Sequence, residues 1–232
     1  MNDQMPADFF NDGDDPSPQP MRPWVIFDCE TTGLPKGGKG PDGNPWPADH
    51  PDQPRLVSLA MIRTTPALAV VNRQHWFIQP DGWVSEPGAL KVHGLTEEFL
   101  RNNGVPIADV LDVYQRMITE GHTLCAYNAV FDLKIMRGEL RRAGRSDYRE
   151  QTPYVCAMQS SAGVVKAKKA NGQPKTPRLA EAASHFKIEE IAPHTAIGDA
   201  TTCLGILRML VQIGIDLTPK IVKAKGVDEV KA

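Results

Sequence analysis

"WVIFDCETTGL", Trp24 to Leu34, begins as an apolar run and ends in two carboxylates. The run reads as a buried strand. Successive side chains on a strand point to opposite faces, so Asp28 and Glu30 share one face while Cys29 takes the other. Two like charges at that separation repel each other, and burial raises the cost. Something must hold them there, and a bound cation is the obvious candidate.

Outward from this strand the chain divides into alternating signals. Pro35 to Pro54 contains six prolines and four glycines, which exclude regular structure. Such a long loop is either functional or irregular, and here it is a lid, a substrate guide or an insertion without a role. Arg55–Arg63 and Gln74–Pro80 read as the second and third strands of an antiparallel meander that begins at Trp24. "LTEEFLRNNG" has a Thr96 cap and an acidic first turn, which predicts a short helix. "PIADVLDVYQRMITEG", from Pro106 to Gly121, shows helical apolar spacing between a proline and a glycine. "TLCAY" is a buried strand that runs into "NAVFDLKIMRGELRRAG", a helix stopped by Gly144. "TPRLAEAASHF" and "AIGDATTCLGILRMLVQIG" complete the helices. A meander followed by alternating helices and strands predicts an α/β fold: a mixed sheet with helices on its faces.

The bulk numbers fit one domain with tails. The 232 residues are 41% apolar and 23% charged, with a formal net charge of -2. That charge gives no global attraction to nucleic acid, so any such binding must use local basic patches or metal ions. Residues 1–21 hold five aspartates and read as a flexible acidic tail. Phe9-Phe10 in that tail is either a docking peptide for a polymerase or sliding clamp, or part of a bland tail leaning on the surface. Residues 22–215 form the folded domain, with 35–54 as its loop insertion. Residues 216–232, where apolar periodicity is lost, form a C-terminal tail that frays. No run is long and apolar enough to span a membrane, and the N-terminus lacks the order of a signal peptide. Cys29, Cys125, Cys156 and Cys203 have no paired metal-ligand spacing and read as free thiols of a reducing cytoplasm.

The carboxylates can then be placed. Asp28 and Glu30 end the first strand, Asp132 follows the "TLCAY" strand, and Asp199 lies in the first turn of the last helix, five residues after His194. Converging at one sheet edge, they would form an oxygen-rich pocket for hard divalent cations, Mg²⁺ or Mn²⁺. Two such ions about 4 Å apart clamp the attacking and leaving oxygens of a phosphodiester displacement. A neutral histidine beside them can take the proton of the attacking water.

At these residues the chain resembles the DnaQ-like (DEDDh) 3'-5' exonucleases. "FDCETTGL" is similar to the family's first motif, "YNAVFD" to the second and "HTAIGD" to the third. "VHGLTEE", Val92 to Glu98, resembles the segment that lies by the scissile end in many members. The resemblance implies a ribonuclease H-like fold: a five-stranded mixed sheet flanked by helices. It implies Asp28, Glu30, Asp132 and Asp199 as ligands of two divalent cations and His194 as general base. It also implies Thr31, Thr32 and Leu34 as a cradle for the terminal nucleotide, with His93, Asn128 and Phe131 lining its pocket. Tyr127 stands where many relatives carry histidine.

Two basic clusters can track a phosphate backbone: Arg137, Arg141, Arg142 and Arg145, then Lys166, Lys168, Lys169, Lys175 and Arg178. A solvated helix face with a mobile loop is the plainer alternative. The expected activity is release of nucleoside monophosphates from DNA 3' ends, in proofreading or repair. Single-stranded ends suit it, because a terminal nucleotide must be splayed to enter a pocket. The Thr-Thr after Glu30 resembles the DNA-proofreading branch of the family. The alternatives are RNA 3'-end trimming by the same chemistry, and a catalytically silent module that binds a partner.

Overall fold

β1, Trp24–Thr31, forms the middle of a five-stranded sheet. The computed structural model describes residues 22–40, 43–148 and 150–221. The expected acidic tail with Phe9-Phe10, and the end of the chain after residue 221, lie outside the described residues. β2 (Leu56–Thr64) and β3 (Val70–Phe77) complete the antiparallel meander. β4 (Thr123–Ala126) and β5 (Tyr154–Cys156) add parallel strands on the other side, giving the order β3-β2-β1-β4-β5. The expected mixed sheet flanked by helices is therefore present.

Among the described residues seven helices pack around it: α1 (Pro87–His93), α2 (Glu97–Asn103), α3 (Ile107–Thr119), α4 (Ala129–Arg142), α5 (Ala157–Val165), α6 (Leu179–Phe186) and α7 (Ala196–Gln212). Alternation along β1 divides the core in two. Val25, Phe27 and Cys29 pack with Leu111 and Tyr114 of α3 and with Ile135, Met136 and Leu140 of α4. Ile26 faces the other way, into a cluster built on Ala200, Cys203, Leu204 and Leu207 of α7. The same alternation gives Asp28 and Glu30 the α7 face, where β1 reaches the end of the sheet.

Four elements depart from the sequence reading, among them α5, because no helix is read over Ala157–Val165. β3 starts four residues earlier than expected, at Val70 rather than Gln74. Its first residues are largely exposed, so they carry little of the apolar signal that marks a strand. α1 is one short segment with Pro87 at its start and Gly94 closing it at φ 70°. β5 has three residues and runs directly into α5. Neither length supports a periodicity. Beyond Leu217, Lys220 pairs with Tyr154 at the sheet edge through two backbone hydrogen bonds of 2.9 and 2.8 Å.

The 35–54 segment is bound to α4. Arg142 donates to the carbonyls of His50 and Gln53, and Lys134 Nζ donates to the carbonyl of Lys36. Gly138 permits the closest approach: a Cβ there would lie 2.5 Å from the Ala48 carbonyl oxygen. Beneath the strap, the buried Glu139 carboxylate accepts from Arg55 Nε at 2.9 Å, the Leu56 N–H at 3.0 Å and Arg142 Nη1 at 3.1 Å. A buried acid with that many donors is satisfied, and removing it would leave two arginines without their shared counter-charge.

Candidate active site

β1 delivers its two carboxylates where its pairing changes. Asp28 stands opposite Ala60 and Glu30 opposite Ser58, and the register slips immediately after Glu30. Such a slip bends a strand and re-aims its side chains. On the other side, β1 pairs with β4 only from Trp24 to Ile26. The edge beyond is uncovered, and the Cys29 N–H there donates to Asp132 Oδ1 at 3.1 Å. Asp132 lies in the first turn of α4, where the helix dipole favours an acid, and is 3% exposed.

α7 supplies the fourth acid. Thr195 caps the helix by accepting the Gly198 N–H at 3.2 Å, while Asp199 Oδ1 accepts the His194 N–H at 3.3 Å. Gly198 is required here, because a Cβ would overlap the carbonyl oxygens of Ile191 and Ala192. The loop folded over the helix start carries His194 at φ 62°, in the left-handed region, with the residue exposed.

The carboxylate oxygens of Asp28, Glu30 and Asp199 lie within 4.8 Å of one another. Asp132 stands beside this group without joining it at that distance. Burial, then the charges of Asp132, Asp199 and Glu30, push the Asp28 carboxyl well above its usual range. Glu30 is raised to about 7 by burial and by Asp199 and Asp132. Burial also raises Asp132 to about 7, against the Cys29 N–H that favours its ionised form. Asp199 rises through burial, partly offset by its bond to the His194 N–H and by the His194 charge. Four acids, all raised by burial and three of them also by their neighbours' charges, suit a site completed by positive charge. An all-oxygen donor set fits Mg²⁺ or Mn²⁺.

Next to this cluster lies a cleft of about 320 Å³, lined by Glu30, Thr31, Leu34, Glu86, His93 and Phe131 among others. Leu34 is 80% exposed and projects from the rim. His93 Nδ1 accepts the Leu95 N–H at 3.0 Å, which assigns the ring proton to Nε2. That Nε2 is buried and has no partner among the described residues, and burial lowers the ring's pKa. His93 therefore offers one neutral N–H donor at the cleft. Thr31 and Thr32 are buried, and their hydroxyls bond the Gly33 carbonyl and the Arg55 N–H. They brace the loop that carries Leu34. Thr32 and Asn128 do not line the cleft, and Asn128 stands exposed at the start of α4.

Glu86 is a cleft residue that sequence reasoning missed. Its N–H donates to the Thr32 carbonyl at 2.7 Å, and its carboxylate fills the space a Cβ on Gly33 would need. The proline after it, opening α1, was the available signal. Tyr127 has a structural assignment: its hydroxyl lies 3.0 Å from the carbonyl oxygens of both Pro177 and Arg178. It thus ties the end of the second basic segment to the end of β4.

Comparison with known proteins agrees with this geometry. The sequence profile of the RNase T family, described as "Exonuclease", matches residues 25–207. The DNA polymerase III subunit epsilon of Buchnera aphidicola is 31% identical over 116 residues, covering 50% of this chain and 44% of that protein. The Salmonella typhimurium subunit is 30% identical over 112 residues, covering 48% and 41%. The chain thus spans under half the length of these curated relatives. Among solved structures, E. coli exonuclease I in complex with a dT13 oligonucleotide superposes with a TM-score of 0.66 at 19% identity, covering 82% of this chain and 41% of that one. This likeness carries the fold, which is ribonuclease H-like. Sheet order, acidic cluster and profile match converge: the chain belongs to the RNase T/DnaQ-like exonuclease family.

Proposed function

We propose that the protein is a metal-dependent 3'-5' exonuclease that releases nucleoside monophosphates from single-stranded DNA 3' ends, in proofreading or repair. The observation that carries this reading is the acidic cluster at the end of β1: Asp28, Glu30 and Asp199 within 4.8 Å of one another, with Asp132 beside them. Asp28, Glu30, Asp132 and Asp199 would hold two divalent cations, which when bound supply charge to the phosphate and lower the pKa of water. The chain's own residues do the rest. His194, exposed beside Asp199, accepts the proton of the attacking water. Leu34 and Phe131 offer apolar surface to the terminal base and sugar, and His93 Nε2–H donates to a polar atom of that nucleotide. Thr31 and Thr32 hold the loop that frames it, and Asn128 stands exposed at the start of α4.

The relatives' printed name, DNA polymerase III subunit epsilon, supports DNA and a polymerase context. Four buried free cysteines suit a reducing cytoplasm, and among the described residues no helix is long and apolar enough to cross a membrane. The test is a paired digestion of DNA and RNA strands of one sequence, each labelled at the 5' end, with Mg²⁺, Mn²⁺ or chelator. A metal-dependent ladder receding from the 3' end, faster on DNA, is the expected result. A faster ladder on RNA would reassign the substrate to RNA trimming. The absence of any ladder would leave a silent binding module.

A further inference from the structure

Val130, Lys134, Arg137 and Arg141 follow one another on α4 at spacings of four, three and four, so they form one stripe along the helix. The stripe begins at the first turn, where Phe131 lines the cleft beside the carboxylates, and runs roughly 16 Å away from it. Across from it stand Trp46 and Pro47 of the strapped insertion. Together they enclose a groove of about 430 Å³, closed at its far side by Tyr154. The strap fixes this geometry through Gly138–Ala48 and Arg142, as described above. Trp46 is itself held, with Lys36 Nζ 5.0 Å from its ring centre and the His50 ring edge-on at 4.5 Å.

The charge of the groove is one-sided. Among the described residues, three cations line it against a single carboxylate, Asp147, which both arginines share. Asp49 approaches Arg141 only at 3.9 Å. Lys134 forms no ion pair among the described residues, and its ammonium is bonded to a carbonyl alone. By contrast, Arg142 and Arg145 of the same cluster are spent on internal contacts with Glu139 and with Asp112 and Gln115.

We propose that this groove between α4 and Trp46 binds the two or three nucleotides just upstream of the 3'-terminal one, as single strand. Their phosphates would lie along Lys134, Arg137 and Arg141, and a base or sugar would pack on Trp46. A stripe of this length spans about three nucleotides, and an aromatic wall facing cations is the chemistry of single-strand recognition. The inference rests on the exonuclease reading for the direction of the strand, and extends it to the substrate's length and form.

The experiment has two arms, run on the full chain in chelator so that no strand is consumed. A 5'-labelled deoxythymidine decamer is titrated by fluorescence anisotropy, and photoreactive thymines placed second to fourth from the 3' end map the crosslinked peptide. Trp46→Ala is expected to weaken the decamer roughly fivefold or more. Lys134→Ala, a change that leaves the core untouched, should lower the slope of log Kd against log salt by about 0.7. Crosslinks should fall on Trp46 or on residues 130–141. Unchanged affinity in both variants, or crosslinks confined to the 166–178 segment, would overturn the proposal. If the groove binds as expected but the wild-type protein cuts no strand in metal, the exonuclease reading fails and the groove stands. If it cuts strands and crosslinks elsewhere, the reverse holds.

Discussion

Asp28 is costly for folding, and on the proposed reading its charge serves the chemistry. Among the described residues it has no hydrogen-bond donor to offset its burial, and three other acids press on it. Asp28→Asn or Asp199→Asn should reduce nucleotide release by roughly a thousandfold or more, since each removes part of the charge that would hold the cations. Circular dichroism should show the fold intact. His194→Ala should instead lower kcat by about 10²–10⁴-fold with metal dependence retained, as fits loss of a general base. The shared face of Asp28 and Glu30 and the place of Asp199 in the first turn of the last helix were legible in the sequence, because both follow from local geometry. What was not legible depends on distant partners. The bond from the Cys29 N–H to Asp132 exists because β4 ends early. Glu86 entered the cleft through packing against Gly33, which no spacing announces.

At the scale of elements, the strap of 35–54 on α4 is the feature that sequence could locate but not interpret. Its proline and glycine content announced a loop, and only the structure shows that Gly138 and Arg142 hold it down. Gly138→Ala should destabilise the protein by about 1–3 kcal/mol, because the added methyl collides with backbone that is tied on both sides. Limited proteolysis should then cut within residues 35–54 first. Glu139→Ala should cost about 3–5 kcal/mol in urea denaturation, since Arg55 and Arg142 would lose a buried counter-charge. The long helices α3, α4 and α7 carried clear periodicity and were read correctly. By contrast, α1 is too short to show any, β5 has three residues, and the start of β3 faces solvent. In each of those, pairing or packing with another part of the chain fixes the structure that local sequence leaves open.

For the whole molecule, the sheet brings carboxylates from β1, α4 and α7 to one end, and the folded state is strained by that arrangement until positive charge arrives. The sign of the pH effect follows. Glu30 and Asp132 titrate near 7 in the folded protein, against ordinary values near 4 when unfolded. Between those limits the folded state binds more protons than the unfolded one, so metal-free stability falls as pH rises from about 4 to about 7 and levels off above. The loss should lower the thermal midpoint by at least several degrees. A cation bound only by the folded state reverses it. The measurement that tests this most directly is the thermal midpoint at about pH 7.5 of wild-type protein and Asp28→Asn, each in chelator and with rising Mn²⁺. The wild-type midpoint should climb by several degrees with metal, whereas Asp28→Asn should start higher and respond little. A wild-type midpoint indifferent to Mn²⁺, or the same response in both proteins, would contradict a metal-built active site at the end of β1.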